Sequence, residues 1–462
     1  SRNNTQAHLG RAQLNYSATI GLSNINLLLG AEVKQTTLVG DKSTVYGFDP
    51  ETLTYQDMDF STRFTRFPTS SKSNIPSGIG FTDRIDRFVS YYFNGSYLYR
   101  QRYLLSFSAR KDASNLFGVN TNQRAVPLWS SGLAWTASEE RFWPKDFIID
   151  YLKLRTTFGY SGNVNKSLTR YSTASYGTSL LTGLLTAQIQ TPPNEDLRWE
   201  KVSTVNIGLD LATKNRTVSV SFDYYQKKGR DLIGESALDP TTGFFVGQRF
   251  SFTGNTASLN TEGIDLRIDG RKNFAAIEWM PSLLFNWNRN KVIKFSGTAP
   301  SSLLASSFAV PVEGKPMSPL YSVPWAGLDP VDGSPRFWYK GEISKDYTAI
   351  RSKMTFDDLQ YHGSALPLYT GSLINRLKYK CFDLSFSMLY AFGGYLRRPT
   401  INYSTLATNW FGHEDYTKRW IKPGDELEKD VPAIPKVADL DKWSILNSYS
   451  SVLVEKADYI FL

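Results

Sequence analysis

The sequence predicts an all-β protein, part of a large antiparallel transmembrane β-barrel. Three observations lead there: long strands that alternate apolar and polar residues, connections that alternate short and long, and a surplus of aromatic side chains. From Thr217 to Tyr225, Val218, Val220, Phe222 and Tyr224 fall on one face and Ser219, Ser221 and Asp223 on the other. A strand points successive side chains to opposite sides, so one face here is greasy and the other small or polar. Runs of roughly ten such residues between turns are the pattern of a membrane-spanning barrel.

About 13 strands can be placed in order. They lie near 13–20, 24–36, 87–100, 102–111, 126–136, 150–161, 201–213, 216–229, 258–272, 276–293, 370–380, 381–394 and 452–462. Val205, Ile207, Leu209 and Leu211 carry the apolar face of one strand, and Ile264, Leu266 and Ile268 that of another. Phe382, Leu384, Phe386, Met388 and Tyr390 oppose Asp383, Ser385 and Ser387 in the clearest case. In the tenth strand Ile277, Trp279, Leu283, Phe285 and Trp287 form the expected outer set. The expected inner set is Ser219, Ser221, Asp223, Asp265, Arg267, Asp269, Glu278, Ser282, Asn286 and Asn288. An Arg or Lys facing lipid at mid-membrane would cost about 2–4 kcal/mol, whereas facing water or a polar plug it costs little.

Short connections sit at Leu22–Asn24, Arg100-Gln101, Lys214-Asn215 and Lys380, with longer ones near Asn273 and at 137–149. Long ones cover about 37–86, 112–125, 162–200, 230–257, 294–369 and 395–451. The two classes alternate, so all long loops fall on one side; barrels keep short turns in the periplasm and long loops outside. Strands 216–229 and 381–394 then run outward, and 201–213 and 258–272 inward. Six long loops on one side imply a surface that contacts something, because long structureless loops are uncommon in compact domains.

A soluble sandwich or propeller also alternates apolar and polar residues, but its strands average about five or six residues. Several here run 11 to 15, with no repeat at a fixed period. Mean hydropathy of −0.33 misleads for a barrel, because it averages lipid-facing and water-facing positions. Aromatics make up 14% of residues, enough to furnish girdles at two membrane interfaces. The net charge of +9 is dispersed rather than massed in one stripe, so nucleic-acid binding is not indicated. Acidic polymers or anionic outer-leaflet lipid remain as partners for it. A single cysteine, Cys381, excludes an intrachain disulfide framework and reads as a structural residue. Ser1-Arg2-Asn3-Asn4 carries no signal-peptide pattern, and Tyr459-Ile460-Phe461-Leu462 stops inside a strand pattern, so an internal piece of an exported protein is expected.

Several phrases carry a resemblance. Arg102-Tyr103-Leu104-Leu105 precedes Ser108-Ala109-Arg110-Lys111-Asp112-Ala113-Ser114; then come Leu133-Ala134-Trp135 with Ser138-Glu139-Glu140. Leu152-Lys153-Leu154-Arg155 leads to Gly159, Ser161, Gly162 and Asn163. Pro193-Asn194-Glu195-Asp196-Leu197-Arg198-Trp199-Glu200 is followed by Val205-Asn206-Ile207-Gly208-Leu209-Asp210. Asp223-Tyr224-Tyr225, Asp231-Leu232-Ile233, Glu262-Gly263-Ile264-Asp265, Glu313-Gly314-Lys315-Pro316 and Trp325-Ala326-Gly327-Leu328-Asp329-Pro330 continue the series. Gly393-Gly394-Tyr395, Arg419-Trp420 and Lys456-Ala457-Asp458-Tyr459-Ile460 close it. In number and order these resemble the SusC/RagA family of TonB-dependent outer-membrane transporters. Asp112-Ala113-Ser114 stands where that family has Asp-Gly-Ser, and Asp265 where Glu is common.

The resemblance implies a barrel of about 22 strands with a plugged lumen, of which residues 1–462 would form a partial barrel domain without the plug. It implies active import of nutrient oligomers, glycan or peptide, at the outer membrane of a Gram-negative bacterium. A SusD-like lipoprotein would lid the long loops, TonB would supply energy through the plug, and transporter–lipoprotein pairs would dimerise. Loop aromatics Tyr171, Phe244, Phe245, Phe337, Trp338, Tyr339, Trp410 and Phe411 offer faces for sugars or for the lid. Trp410 and Phe411 lead these candidates, followed by Trp338 and Tyr339; self-packing of the loops is the alternative use for all of them. A non-transporting adhesin barrel is the rival of another class.

Catalysis finds little support. The three histidines, His8, His362 and His413, are far apart in sequence, and His413-Glu414-Asp415 reads as a solvated turn. No HExxH, CxxC, GxSxG or phosphate-binding glycine loop occurs, and no cofactor is indicated. Glu139-Glu140 and Asp357-Asp358 are adjacent pairs whose side chains diverge, unlike glycosidase carboxylates facing one another across a substrate.

Overall fold

The computed structural model describes all residues except 67–70, 116–124, 145, 164, 166–167, 179–183, 238–240, 242–250, 298–310 and 436–443. Phe244 and Phe245 lie outside the described residues. Thirteen wall strands follow one another in sequence and in space. They are β1 (Arg2–Ile20), β2 (Ser23–Lys42), β3 (Gly80–Tyr99), β4 (Tyr103–Ser114), β5 (Ala125–Thr136), β6 (Ile149–Asn163) and β7 (Glu200–Thr213). Then come β8 (Val218–Ala237), β9 (Ser251–Gly270), β10 (Ile277–Lys294), β11 (Tyr369–Tyr379), β12 (Phe382–Phe392) and β13 (Tyr459–Phe461). Each pairs antiparallel with the next, an up-and-down meander. The outer edges of β1 and β13 have no partner among the described residues. Such an edge leaves a row of backbone N–H and C=O groups unpaired.

Tight turns join the strands at one end. At the β3–β4 turn Arg100 and Gln101 both take positive φ, 50° and 56°, and the Arg102 N–H closes the turn on the Tyr99 carbonyl at 3.0 Å. The β5–β6 connection is pinned by Glu140, which accepts from the Trp135 indole at 3.3 Å and pairs with Arg102 at 3.0 Å. The Tyr103 hydroxyl donates to the same carboxylate.

Register settles the faces. Asp223 opposes Asp265, which opposes Asn286, and Ser219, Asp269 and Ser282 line up likewise. The whole expected inner set therefore shares one face. Ile277, Trp279, Leu283, Phe285 and Trp287 share the other, and the Trp279 indole satisfies the outer-face Asn375 side chain at 3.1 Å.

Two expectations need correction. Residues 452–462 do not form one strand: Val454–Lys456 pairs with Tyr395–Arg397 away from the wall, and only Tyr459–Phe461 joins β12. The chain bends between them at Asp458, whose carboxylate accepts from the Gly393 N–H at 2.7 Å. The last two long loops, 295–368 and 393–458, are likewise not structureless, for their described residues fold together into a cap. In it Pro319–Ser322 pairs with Gln360–Ser364, and Trp325–Leu328, Pro335–Tyr339 and Glu342–Ser344 form a small sheet. Helices α1 (Tyr347–Lys353), α2 (Tyr403–Asn409) and α3 (Ser444–Ser448) complete it. Asp346 and Asn402 cap the first two, accepting from Ala349 and Thr405 N–H groups. The two loops are stitched by Val323, which bonds Tyr449 and Ser451 at 2.8 and 2.9 Å.

The largest apolar core among the described residues lies in this cap: Tyr321, Val323, Phe337, Tyr347, Ile350, Met354, Ile401, Tyr403, Val431 and Leu446. A barrel wall has no such core, because its apolar face meets lipid and its polar face the lumen.

Candidate functional site: the polar wall and the loop cap

The polar face of the wall is held together by ions that bridge strands. Arg155 on β6 reaches Asp210 on β7 at 2.7 Å and Asp223 on β8 at 3.0 Å. The Ser221 hydroxyl donates to Asp210 at 2.8 Å, and the Asn206 amide to Asp223 at 3.2 Å. Gly208 lies beneath this knot; a Cβ there would stand 2.8 Å from the guanidinium carbon and 2.7 Å from the Asp223 carboxylate. A glycine is needed because the bridge passes directly over the backbone. A second knot joins β1 to β4. Arg11 donates to the Tyr92 hydroxyl at 2.6 Å, and the guanidinium carbons of Arg11 and Arg110 lie 5.3 and 5.9 Å from that ring. The Tyr92 ring covers Gly30, where a Cβ would meet it at 2.3 Å. Such charges tolerate an aqueous lumen or a polar plug and could not face acyl chains.

The phrase Pro193–Glu200, with Asp231-Leu232-Ile233, forms a clasp at the loop end of the wall. Leu197 and Trp199 are buried against Leu128, Leu168 and Ile233. Between them Arg198 pairs with Asp231 at 2.6 Å, while Asn255 bonds both the N–H and the C=O of Arg198 at 2.8 Å. Glu200 accepts from the Ile233 N–H at 2.9 Å. These contacts hold Leu197–Glu200 onto β8 and β9.

The cap sorts the aromatic candidates. Pro335–Tyr339 is a strand, so its side chains alternate. Phe337 is fully buried, edge-on to Trp325 and Tyr347. Trp338 points the other way and is 44% exposed. Tyr339 is half-buried, with one side against the cap core and Lys340 over its ring at 5.4 Å. Phe337, with no exposed surface, packs the loop on itself and offers no face. Trp410 ends α2 in a left-handed conformation (φ 60°), which throws it and Phe411 clear of the helix. They are 88% and 68% exposed. Tyr171 is also exposed and stacks on Arg170 at 4.5 Å.

The polar centre of the cap is Arg398. It pairs with the buried Asp415 at 3.0 Å, with Asp430 at 3.0 Å and with Glu455 at 3.3 Å. Burial acts to raise the Asp415 carboxyl, but the Thr400 hydroxyl and Arg398 outweigh it and hold it below the usual carboxylate range. This network explains His413-Glu414-Asp415: the His413 ring accepts from the Asp415 N–H at 3.2 Å as a helix-start contact. His362 bonds the Ser322 hydroxyl at 2.7 Å, but that serine is fully buried within the cap. Among the described residues no group of three His, Cys, Asp or Glu side chains is placed to hold a metal ion.

A meander of long amphipathic strands with a charged inner face and an elaborate loop end has the architecture of an outer-membrane-type β-barrel wall. The family described as TonB dependent receptor-like, beta-barrel, matches residues 2–308, and the chain belongs to it. TonB-dependent receptor P3 of Formosa agariphila is 24% identical over 425 residues, which is 87% of this chain and 40% of that protein. SusC of Bacteroides thetaiotaomicron is 28% identical over 229 residues, 45% of this chain and 21% of its own. The chain thus spans about two fifths of the length of the P3 receptor it matches. The structure of the RagAB peptide transporter superposes with a TM-score of 0.73 at 19% identity, over 99% of this chain and 48% of that one. That likeness establishes the fold. The named relatives are receptors and transporters rather than enzymes.

Proposed function

We propose that this chain is a partial barrel domain, residues 1–462, of a TonB-dependent importer that takes up nutrient oligomers, glycan or peptide, through the outer membrane. The observation that carries the reading is the pairing of two surfaces: a polar inner wall and a folded cap that holds Trp410, Phe411 and Trp338 outward.

The cap lies at the long-loop end, the external side in barrels of this kind. Exposed aromatics on a rigid support suit a lid or an oligomer, since a ring presents much contact area at little entropic cost. We assign the cap to contact with a SusD-like lipoprotein, and the polar wall to contact with a plug through which TonB acts. Pairs of transporter and lipoprotein would then dimerise. The description of RagAB as a peptide transporter supports a peptide cargo for that relative, and glycan cargo stands beside it here.

The test is to purify the full-length protein from outer membranes in mild detergent and weigh what accompanies it. A stoichiometric lipoprotein with a bound oligomer supports lidded import, and the oligomer's mass separates glycan from peptide. A barrel that emerges alone supports the adhesin reading instead.

A further inference from the structure

We infer that the outer face of the wall carries a binding site for the phosphate of an anionic membrane lipid, at the junction of β10 with the cap. Strand β11 pairs with β10 only as far as Trp287 opposite Tyr369. Beyond that point β10 continues with its edge bonded to Leu368 through the Asn288 N–H at 3.0 Å and to Gly314 and Lys315 at Val292, and beside it lies a cavity of about 870 Å³ bordered by the 314–316 turn and the 361–368 segment. Three cations line it: Arg289, Lys291 and Lys315. No carboxylate does.

Register fixes where two of these cations point. The pairing of β9 with β10 runs without a shift from Asp269 to Leu259, so Arg289 and Lys291 share the face of Leu283, Phe285 and Trp287. That is the lipid-facing set. Arg289 lies opposite Glu262 on β9, yet among the described residues none of the three cations makes an ion pair. Lys315 is instead held over the Tyr361 ring at 4.1 Å. Lys228, exposed and on the same face two strands away, extends the basic strip.

Height completes the argument. Trp287 and Tyr369 form an aromatic step at the top of the apolar stripe, the place of an interfacial girdle. Cations one residue pair above such a girdle stand at headgroup level. A guanidinium grips phosphate in a fork and two ammonium groups add point charge. The acyl chains would descend along Trp287, Phe285 and Leu283. Three unpaired cations over an apolar stripe fit an amphiphile bearing phosphate better than a soluble anion, which would gain nothing from the stripe. The inference rests on the membrane orientation of the barrel and is independent of what is imported.

The full-length protein in detergent would be titrated with dioleoyl phosphatidic acid, the matched phosphatidylcholine and inorganic phosphate, and read by native mass spectrometry. The triple variant Arg289→Gln, Lys291→Gln, Lys315→Gln should bind phosphatidic acid about ten- to hundredfold more weakly, with phosphatidylcholine unchanged. A charge-keeping R289K/K291R/K315R variant should bind within a few fold of the natural protein. Equal retention of phosphatidic acid by the triple variant would overturn the proposal. So would inorganic phosphate that displaces the lipid at equal concentration, since the site would then serve a free anion. Heat-modifiable gel migration reports whether each variant folds, and K315Q alone, on a turn outside the wall, keeps the test decidable. Recovery of the protein without detergent would instead sink the membrane placement, a separate failure.

Discussion

Replacing Phe337 by alanine tests whether the cap is a folding unit in its own right. Phe337 has no exposed surface and touches Trp325 and Tyr347 edge-on, with centroids 5.8 and 6.4 Å away. Removing a buried phenyl ring costs the lost transfer energy plus a cavity, about 3–5 kcal/mol in total. At about 1.4 kcal/mol per tenfold, the opened cap should become roughly two to three and a half orders of magnitude more populated. The assay is limited proteolysis of the protein in detergent, scoring cuts within 295–368 and 393–458 beside the heat-modifiable migration of the barrel. The expected result is a cap cleaved rapidly on a barrel that stays folded. Trp410→Ala, at an 88% exposed position, serves as the control and should shift stability by no more than about 0.5 kcal/mol. If F337A unfolded wall and cap together, or left the loops as resistant as before, the independence of the cap core would be refuted.

The W410A/F411A double variant should keep its fold but lose most of its co-purifying lipoprotein, measured by quantitative mass spectrometry; undiminished recovery removes these two rings from the contact. Arg155→Met leaves Asp210 and Asp223 without their shared cation on a partly wet face, and should lower barrel stability by about 1–3 kcal/mol in urea titration. Asp415 has a folded pKa held below its unfolded value of about 4, so its contribution is full above that pH and is lost as pH falls through the folded value. Cap proteolysis should therefore accelerate below about pH 4, and Asp415→Asn should flatten that dependence while raising cleavage at neutral pH.

Much of the wall was legible in the sequence because a barrel strand is a local object. Side-chain alternation has a period of two, so Val218 to Tyr224 disclose both the strand and its lipid face without knowledge of any partner. Positive-φ turns such as Arg100-Gln101 are equally local, and alternation of short and long connections put every long loop at one end. The strand ends were less legible. Gly80–Asp86 and Arg2–Ala12 extend the wall with mixed polarity because they stand beyond the apolar stripe, where alternation no longer reports burial. Residues 452–462 read as one strand, since the two-residue break at Ala457-Asp458 leaves the apolar spacing almost intact.

The cap belonged to tertiary structure alone. Its strands are three to five residues long, too short for a pattern to emerge, and its core joins residues over 100 positions apart, Tyr321 with Leu446. Phe337, Trp338 and Tyr339 look alike in sequence; only the packing of Trp325 and Tyr347 on one side decided that Phe337 turns inward and Trp338 outward. The Arg155 bridge likewise required register, because residues 155, 210 and 223 meet only when β6, β7 and β8 are aligned. Local pattern therefore determined the class of protein and the faces of its wall, whereas contacts between distant residues decided which aromatics and ions are free to meet a partner.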